Sequence, residues 1–487
     1  MIDLRPILQV IGMLLSILAV TMLIPAAVDL AYFHRESLGF VGSAVITGFA
    51  GALLWLGNRG HSRSELNLRQ VFLLTVLTWL VISVFASLPM MFGHSRLSPV
   101  DALFETMSGL TTTGATVITG LDYMPAGLLL WRMLLHAMGA VGIIVVALAL
   151  LPMLRVGGMQ LFRAEFSDKD KKLLPSTGQL ALAITSVFAA LVSLCTLAYL
   201  FGGMTLLDAV CHAISTVGTG GFANYDSSIA VFDSPFLETV AITFMLAGAL
   251  PFTVYVALTS RKLTLKALPS LFDGQIRWFL IFCATISLVM SAWLYFNSHF
   301  SLGGALRHGT FNVISAITTT GFVSADYLQW GGGATMVFFA LYFVGGCTGS
   351  TTGSVKVFRY QVLFQAIRRI LFRMVNPHGV MRLRLNETTV SEETLTSVIA
   401  FMFLFFVTMF VIATGLSLTG VDFMTALTAS AATISNVGPG LGEIAGPASN
   451  YGEFSDAAKL MMCAGMLLGR LELFTVFVLL TPRFWRV

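Results

Sequence analysis

Charge is scarce in this chain: 11% of its 487 residues are Asp, Glu, Lys or Arg, against about a quarter in an ordinary soluble domain. That shortage excludes a soluble globular fold, and a hydrophobic content of 56% puts most of the chain against lipid. Cysteine is sparse too. Cys195, Cys211, Cys283, Cys347 and Cys463 fall in or beside apolar segments without CxxC spacing, which argues against a disulfide framework or a cysteine-ligated zinc site and leaves buried thiols. No histidine belongs to an HExxH, and Tyr225-Asp226 has no GxGD partner. The glycine-rich stretch at 345–354 lacks GxxxxGK[ST] spacing, and Thr351 stands where a nucleophile elbow needs serine. An enzyme is therefore not expected. A net charge of only +4 gives no sign of a nucleic-acid partner.

What the chain does have is long apolar runs, at 7–30, 40–57, 70–92, 126–154, 178–202, 234–260, 275–297, 335–372, 394–418 and 457–481. Each is long enough to cross the hydrocarbon core, which takes about 20 helical residues. The first run is too long for a signal h-region and lacks a small-residue cleavage site, so it reads as a retained helix. Basic residues cluster in alternate loops: Arg59, Arg63 and Arg69; Arg155, Arg163, Lys169, Lys171 and Lys172; Arg261, Lys262, Lys266 and Arg277; Arg368, Arg369, Arg373, Arg382 and Arg384. The positive-inside rule makes those loops cytoplasmic, together with both termini, and puts Arg483 and Arg486 on that side.

Self-comparison shows a fourfold repeat of long span, short apolar helix, Gly/Thr-rich turn and long span. The expected fold is an all-α polytopic membrane protein: four pseudo-symmetric helix–pore-loop–helix repeats around one central pore, preceded by a helical hairpin. The expected divisions are 1–69 for the hairpin and 70–172, 173–272, 273–385 and 386–487 for the repeats. The short stretches 101–110, 208–217, 308–317 and 422–434 cannot span and read as re-entrant pore helices. Asp101 and Asp208 open two of them at equal distances from the turn, His308 takes that place in the third, and Asp422 lies one turn earlier in the fourth. These acids read as helix caps rather than ion ligands.

The candidate ion ligands are the turns themselves: Thr111, Thr112, Thr113 and Gly114; Gly218, Thr219, Gly220 and Gly221; Thr318, Thr319, Thr320 and Gly321; Ser435, Asn436, Val437 and Gly438. Non-helical backbone at membrane depth survives only around a polar centre. Helix C-termini and turn carbonyls aimed there favour a dehydrated cation, and the four anchor glycines suit positive φ. The second and fourth turns lack the TTTG shared by the first and third, which predicts irregular ion sites and moderate preference for potassium over sodium. Asp122, Asp226, Asp326 and Glu443 follow the turns on the outer side, either as cation-concentrating charges or as ordinary loop charges.

Beneath the turns, Gly345, Gly346, Gly349 and Gly353 interrupt the eighth span and are candidates for a flexible gating loop. Arg470 sits in apolar surroundings at a cost of roughly 2.5–3.5 kcal/mol by insertion scales. Its neighbour Glu472 is two residues away and faces elsewhere, so Arg470 either contacts another span or the pore, as a barrier to cation leak, or snorkels to the interface.

The TTTGAT run at Thr111 to Thr116, GGF at Gly220 to Phe222, TTTGF at Thr318 to Phe322, SNVGPG at Ser435 to Gly440 and GRLE at Gly469 to Glu472 resemble the Trk/Ktr/HKT superfamily of potassium and sodium transporters, most closely its bacterial Trk membrane subunits. The resemblance covers nearly the whole chain. It implies potassium uptake, a filter glycine from each repeat with Gly114 of the potassium-preferring type, an intramembrane gating loop in the third repeat and Arg470 below it. It also implies a bacterial inner-membrane location, a homodimer of pores, and gating by a cytosolic nucleotide-binding regulatory ring of the TrkA-like RCK kind. The alternative is a sodium- or proton-coupled secondary cation transporter, whose repeats would alternate in orientation.

Overall fold

A computed structural model describes residues 2–32, 37–59, 66–93, 95–146, 177–259, 274–297, 300–385 and 388–486. Arg63, the basic residues from Arg155 to Lys172, and Arg261, Lys262 and Lys266 lie outside these described residues.

Seven helices are long and apolar enough to cross a bilayer: Arg5–Ala31, Ser37–Gly57, Leu68–Phe92, Ala126–Val145, Gly178–Phe201, Gly274–Asn297 and Glu392–Leu418. Two of the remaining apolar runs are broken. Pro235–Ala249 meets Phe252–Leu258 at 91°, and Asp456–Arg470 meets Phe474–Leu480 at 105°. The eighth run divides into Gly332–Leu341 and Val357–Val375, with the glycine-rich loop between them. Sequence reasoning placed an interruption only in this last run. The other two have local causes: Pro251 follows Leu250 and supplies no N–H to continue the ladder, while Glu472 adopts φ 58° as it turns toward a partner on another helix. Among the described residues the only strand pairing is Arg384–Leu385 with Thr388–Thr389.

The short helices run over Pro99–Leu110, Leu206–Val217, Leu302–Ile317 and Phe423–Ser435, none long enough to span. Their N-caps correct the expected role of the acids. Ser98, Thr205 and Ser301 cap the first three by accepting from the N–H of Asp101, Asp208 and Gly304. Asp422 caps the fourth through the N–H of Thr425, at 3.0 Å. Asp422 lies a turn earlier than Asp101 and Asp208 because it occupies the position of Ser98 and Thr205. Asp101 and Asp208 sit inside the first turn, where a carboxylate still complements the helix dipole.

The N-terminal hairpin packs through small residues: a Cβ on Gly12 would lie 2.6 Å from Trp55 N and one on Gly51 2.7 Å from Ser16 Oγ. It is fastened to the first repeat by Asp29, fully buried, whose Oδ1 accepts from Gly127 N at 2.6 Å. Pro125, at the N-cap of that helix, makes no side-chain cap bond, so the carboxylate of another helix satisfies this N-terminus. At the opposite end, Arg69 donates to Arg486 O (2.8 Å) and Gln70 to Asp3 O (2.9 Å). Both ends of the chain therefore lie on one side of the bundle. Asp29→Ala is expected to destabilise the protein by about 1–3 kcal/mol, seen as a lower thermal unfolding midpoint in detergent; an unchanged midpoint would mean that the hairpin is held by apolar packing alone.

Candidate ion pathway

All four turns share one backbone design despite their different residues. Two residues before the anchor glycine, Thr112, Thr219, Thr319 and Asn436 have φ of 49°, 49°, 56° and 55°, and the glycines Gly114, Gly221, Gly321 and Gly438 have φ of 81°, 80°, 79° and 99°. In each repeat the N–H of the first of these bonds three residues back, as in Thr112 to Gly109 O (3.1 Å), and the next N–H five back, as in Thr113 to Ser108 O (2.9 Å). This double bond pattern caps a helix C-terminus. Threonine in the left-handed region is strained, so the geometry is imposed by the surroundings. The expected irregularity is therefore small in the backbone, where only Gly438, at φ 99° against 79° to 81°, stands apart, and is carried mainly by the side chains.

The glycines determine how the turns meet. A Cβ on Gly438 would stand 2.6 Å from the carbonyl oxygen of Thr113, and a Cβ on Gly114, Gly221 or Gly321 would collide still more closely with Gly220 O, Thr320 O or Val437 O. Each anchor glycine thus lies against the carbonyl just before the anchor glycine of the next repeat, in the order first, second, third, fourth, first. The relation closes on itself. Repeats related by rotation produce such a ring; repeats of alternating orientation do not. The four glycines also share the lining of one cavity of about 250 Å³, with Tyr225 and Asp226 at its wall.

A family model described as TrkH, cation transport protein, matches residues 38–486. The chain belongs to this family. It is 43% identical over 484 residues to the Trk system potassium uptake protein TrkI of Halomonas elongata, covering 99% of this chain and 97% of that protein. Identity to the Trk system potassium uptake protein TrkH of Escherichia coli K12 is 36% over 486 residues, 99% of each chain. The crystal structure of the potassium transporter TrkH from Vibrio parahaemolyticus superposes with a TM-score of 0.92 at 35% identity and covers all of both chains. Like these relatives, this TrkH-family chain is a multi-pass membrane protein.

Each descending strand of the TrkH-family ring is pinned by a side chain from its own short helix. The N–H three residues past the glycine bonds Glu105 Oε2 at Val117 (2.9 Å), His212 Nε2 at Asn224 (3.5 Å), Asn312 Oδ1 at Ser324 (3.2 Å) and Thr428 Oγ1 at Leu441 (3.0 Å). Sequence reasoning missed these four, although the first three stand nine residues before their glycines. It also missed Arg132, fully buried with Glu105 at 2.7 Å. Arg132 reaches Ala223 O in the second repeat (2.9 Å) and lies over the Phe222 ring at 4.0 Å. A charge in an apolar run was the available signal, the same one that singled out Arg470. His308 bonds Ser324 Oγ at 3.1 Å, and Asp208 holds Asn224 (2.9 Å) and Tyr225 (3.0 Å), so both brace the strand beyond the turn. The outer acids are largely engaged in the same way: Asp226 accepts from Gly120 and Leu121, Asp122 from Asp226 N, and Asp326 from Leu328.

The glycine-rich loop lies directly beneath three of the turns. Thr219 donates to Thr351 Oγ1 (3.0 Å), Gly353 N donates to Thr319 Oγ1 (2.8 Å), and a Cβ on Gly353 would stand 2.5 Å from Ser435 O. The loop also completes the broken helix of the second repeat: Cys347 N and Thr351 N donate to Ala249 O and Gly248 O, and Phe252 N donates to Gly349 O. Two irregular segments satisfy each other's polar backbone, as a membrane interior requires. Gly345 N bonds Val355 O, Gly346 N bonds Thr352 Oγ1, and Gly349 has φ 77°.

Two buried cations grip this loop. Arg470 Nη1 donates to Thr351 O at 2.9 Å, and Lys356 Nζ bonds Thr352 through its carbonyl and, at 2.9 Å, its hydroxyl. Both line a small gap of about 20 Å³ below the turns. Arg470 is 3% exposed, which rules out snorkelling. Glu472 pairs with Arg359, not with Arg470. Lys356 and Arg359 were not singled out from sequence. Glu105→Gln is expected to cost about 3–5 kcal/mol by leaving Arg132 buried without its carboxylate, measurable as a drop in thermal stability; a loss below about 1 kcal/mol would show that the Ala223 carbonyl and Phe222 ring suffice.

Proposed function

We propose that this chain is the potassium-conducting subunit of a Trk-type uptake system in the bacterial inner membrane, with both termini cytoplasmic. The closed ring of glycine–carbonyl approaches carries this reading. Four carbonyls held by the same backbone design can replace the hydration shell of a potassium ion, and the C-terminal ends of four short helices supply negative potential around it. The filter is assigned to Thr111–Gly114, Gly218–Gly221, Thr318–Gly321 and Ser435–Gly438, contributed by repeats dividing at 70–172, 173–272, 273–385 and 386–487. No step of this reading involves chemistry on a substrate; potassium is the cargo.

The loop bearing Gly345, Gly346, Gly349 and Gly353 is the gate. Arg470 and Lys356 hold it through the carbonyls of Thr351 and Thr352 while placing positive charge in the path of a cation. Opening requires the hydroxyls of Thr219 and Thr319 to release the loop, which its glycines permit. The basic surface around Arg368, Arg373, Arg382 and Arg384, all exposed, is where a cytosolic nucleotide-binding ring of the TrkA-like kind would act on a homodimer of these pores. Coupled secondary transport by inverted repeats is disfavoured by the rotational order of the ring.

Rubidium flux into sealed vesicles containing the purified protein tests the filter. Saturable flux is expected in the wild type, and Gly114→Ser, whose added Cβ would strike Gly220 O, is expected to weaken it or shift it toward sodium. Flux indifferent to the substitution would remove Gly114 from the pathway. Arg470→Ala is expected to raise basal rubidium flux severalfold by freeing Thr351 and removing the barrier charge; unchanged or reduced flux would contradict its place in the gate.

A further inference from the structure

We infer that Asn436 sets cation discrimination by bracing the seam between the fourth and first turns, as a positioning residue acting on the Thr113 carbonyl. The inference rests on the potassium-filter reading. Three turns carry threonine two residues before the anchor glycine and the fourth carries Asn436, yet all four share the same left-handed backbone. Backbone conformation alone therefore does not call for asparagine. What the amide adds is a second reach: Nδ2 donates to Thr113 Oγ1 in the first turn (2.9 Å) and to Met466 O on the last broken helix (3.0 Å), with all three groups buried.

The corresponding threonines do other work. Thr219 and Thr319 hold the glycine-rich loop, and Thr112 Oγ1 has no hydrogen-bond partner among the described residues. Among the described residues, Asn436 to Thr113 is the one side-chain bond that joins two turns directly. It falls where a brace is needed. The approach of Gly438 to Thr113 O is the widest of the four glycine–carbonyl approaches, and Gly438 has the most divergent φ, 99° against 79° to 81°. At the other three seams backbone packs closely on backbone. At this one the amide holds the Thr113 strand against the inner helix. A seam free to move would let the oxygens close around a smaller ion, which favours sodium.

Two substitutions remove the bond from opposite ends using residues that this chain already carries at the equivalent positions. Asn436→Thr copies the other three turns, and Thr113→Val copies Val437. Purified full-length protein in sealed vesicles would be assayed for rubidium uptake against rising sodium, and the sodium concentration that halves uptake would be read relative to each variant's own rate. Each single variant is expected to lower that concentration about fivefold, the weight of one neutral hydrogen bond, and the double variant is expected to lower it by less than the two factors multiplied, because the shared bond is lost only once, although Asn436→Thr also gives up Met466 O and Thr113→Val also gives up the Thr111 hydroxyl. Sodium sensitivity equal to wild type in both single variants overturns the inference, as do effects that add in the double variant. Loss of folding in one variant leaves the other to decide. A wild type without saturable rubidium uptake overturns instead the potassium reading beneath it.

Discussion

A peptide group that leaves helical geometry inside a bilayer must find another polar partner, and among its described residues this chain leaves helical geometry in four turns, two helix breaks and one long loop. None of these segments is tolerable alone. The turns close on one another through carbonyls set against glycines. The loop pays the hydrogen-bond debt of the helix break at Leu250–Pro251 while lying beneath the turns. The constraint therefore links the turns to the loop: the groups that satisfy the loop in its present position, Thr219, Thr319, Gly248 and Ala249, belong to the turns and to the broken helix beside them.

Charge is used where the repeats meet. Arg132, paired with Glu105 inside the first repeat, reaches the Ala223 carbonyl of the second. Arg307 joins the third to the second through Glu238 (2.9 Å) and Asp233 (2.8 Å), Arg359 joins the third to Glu472 of the fourth, and Lys459 of the fourth bonds Asp101 of the first at 2.5 Å. Buried ion pairs seldom add much net stability over apolar packing. They do penalise a mispaired seam heavily, because each arrangement of four similar repeats other than the native one would strand a charge in a low dielectric. In a chain with so few charges, ion pairs across three seams and the Arg132–Ala223 bond across the fourth point to specification of repeat order.

The spans, the fourfold repeat and the location of the turns were legible because they depend on composition and on glycine, which a sequence displays directly. The third short helix begins six residues before the expected start because Ser301 supplies a cap that its apolar pattern does not announce. The uniform backbone of the turns was hidden by unlike side chains: GTGG and SNVG adopt the conformation of TTTG because the helix-end hydrogen bonds and the neighbouring carbonyls impose it. The break at Leu250 is hidden because hydropathy runs through it without interruption, whereas the break at Leu471 lies between Arg470 and Glu472, charges that mark the place without announcing a bend. Arg470 stands out by its charge, whereas Lys356, two residues past the glycine-rich stretch 345–354, is not singled out and is 7% exposed.

In the function proposed for this chain, the ring formed by Gly114, Gly221, Gly321 and Gly438 with its carbonyls holds a dehydrated potassium-like cation. Crystals of the protein grown with thallium in place of potassium would test it through anomalous scattering. Density is expected on the ring axis at the level of the Thr113, Gly220, Thr320 and Val437 carbonyls, lost when sodium replaces thallium. Thallium bound elsewhere in the membrane region, with the ring axis empty, would contradict it.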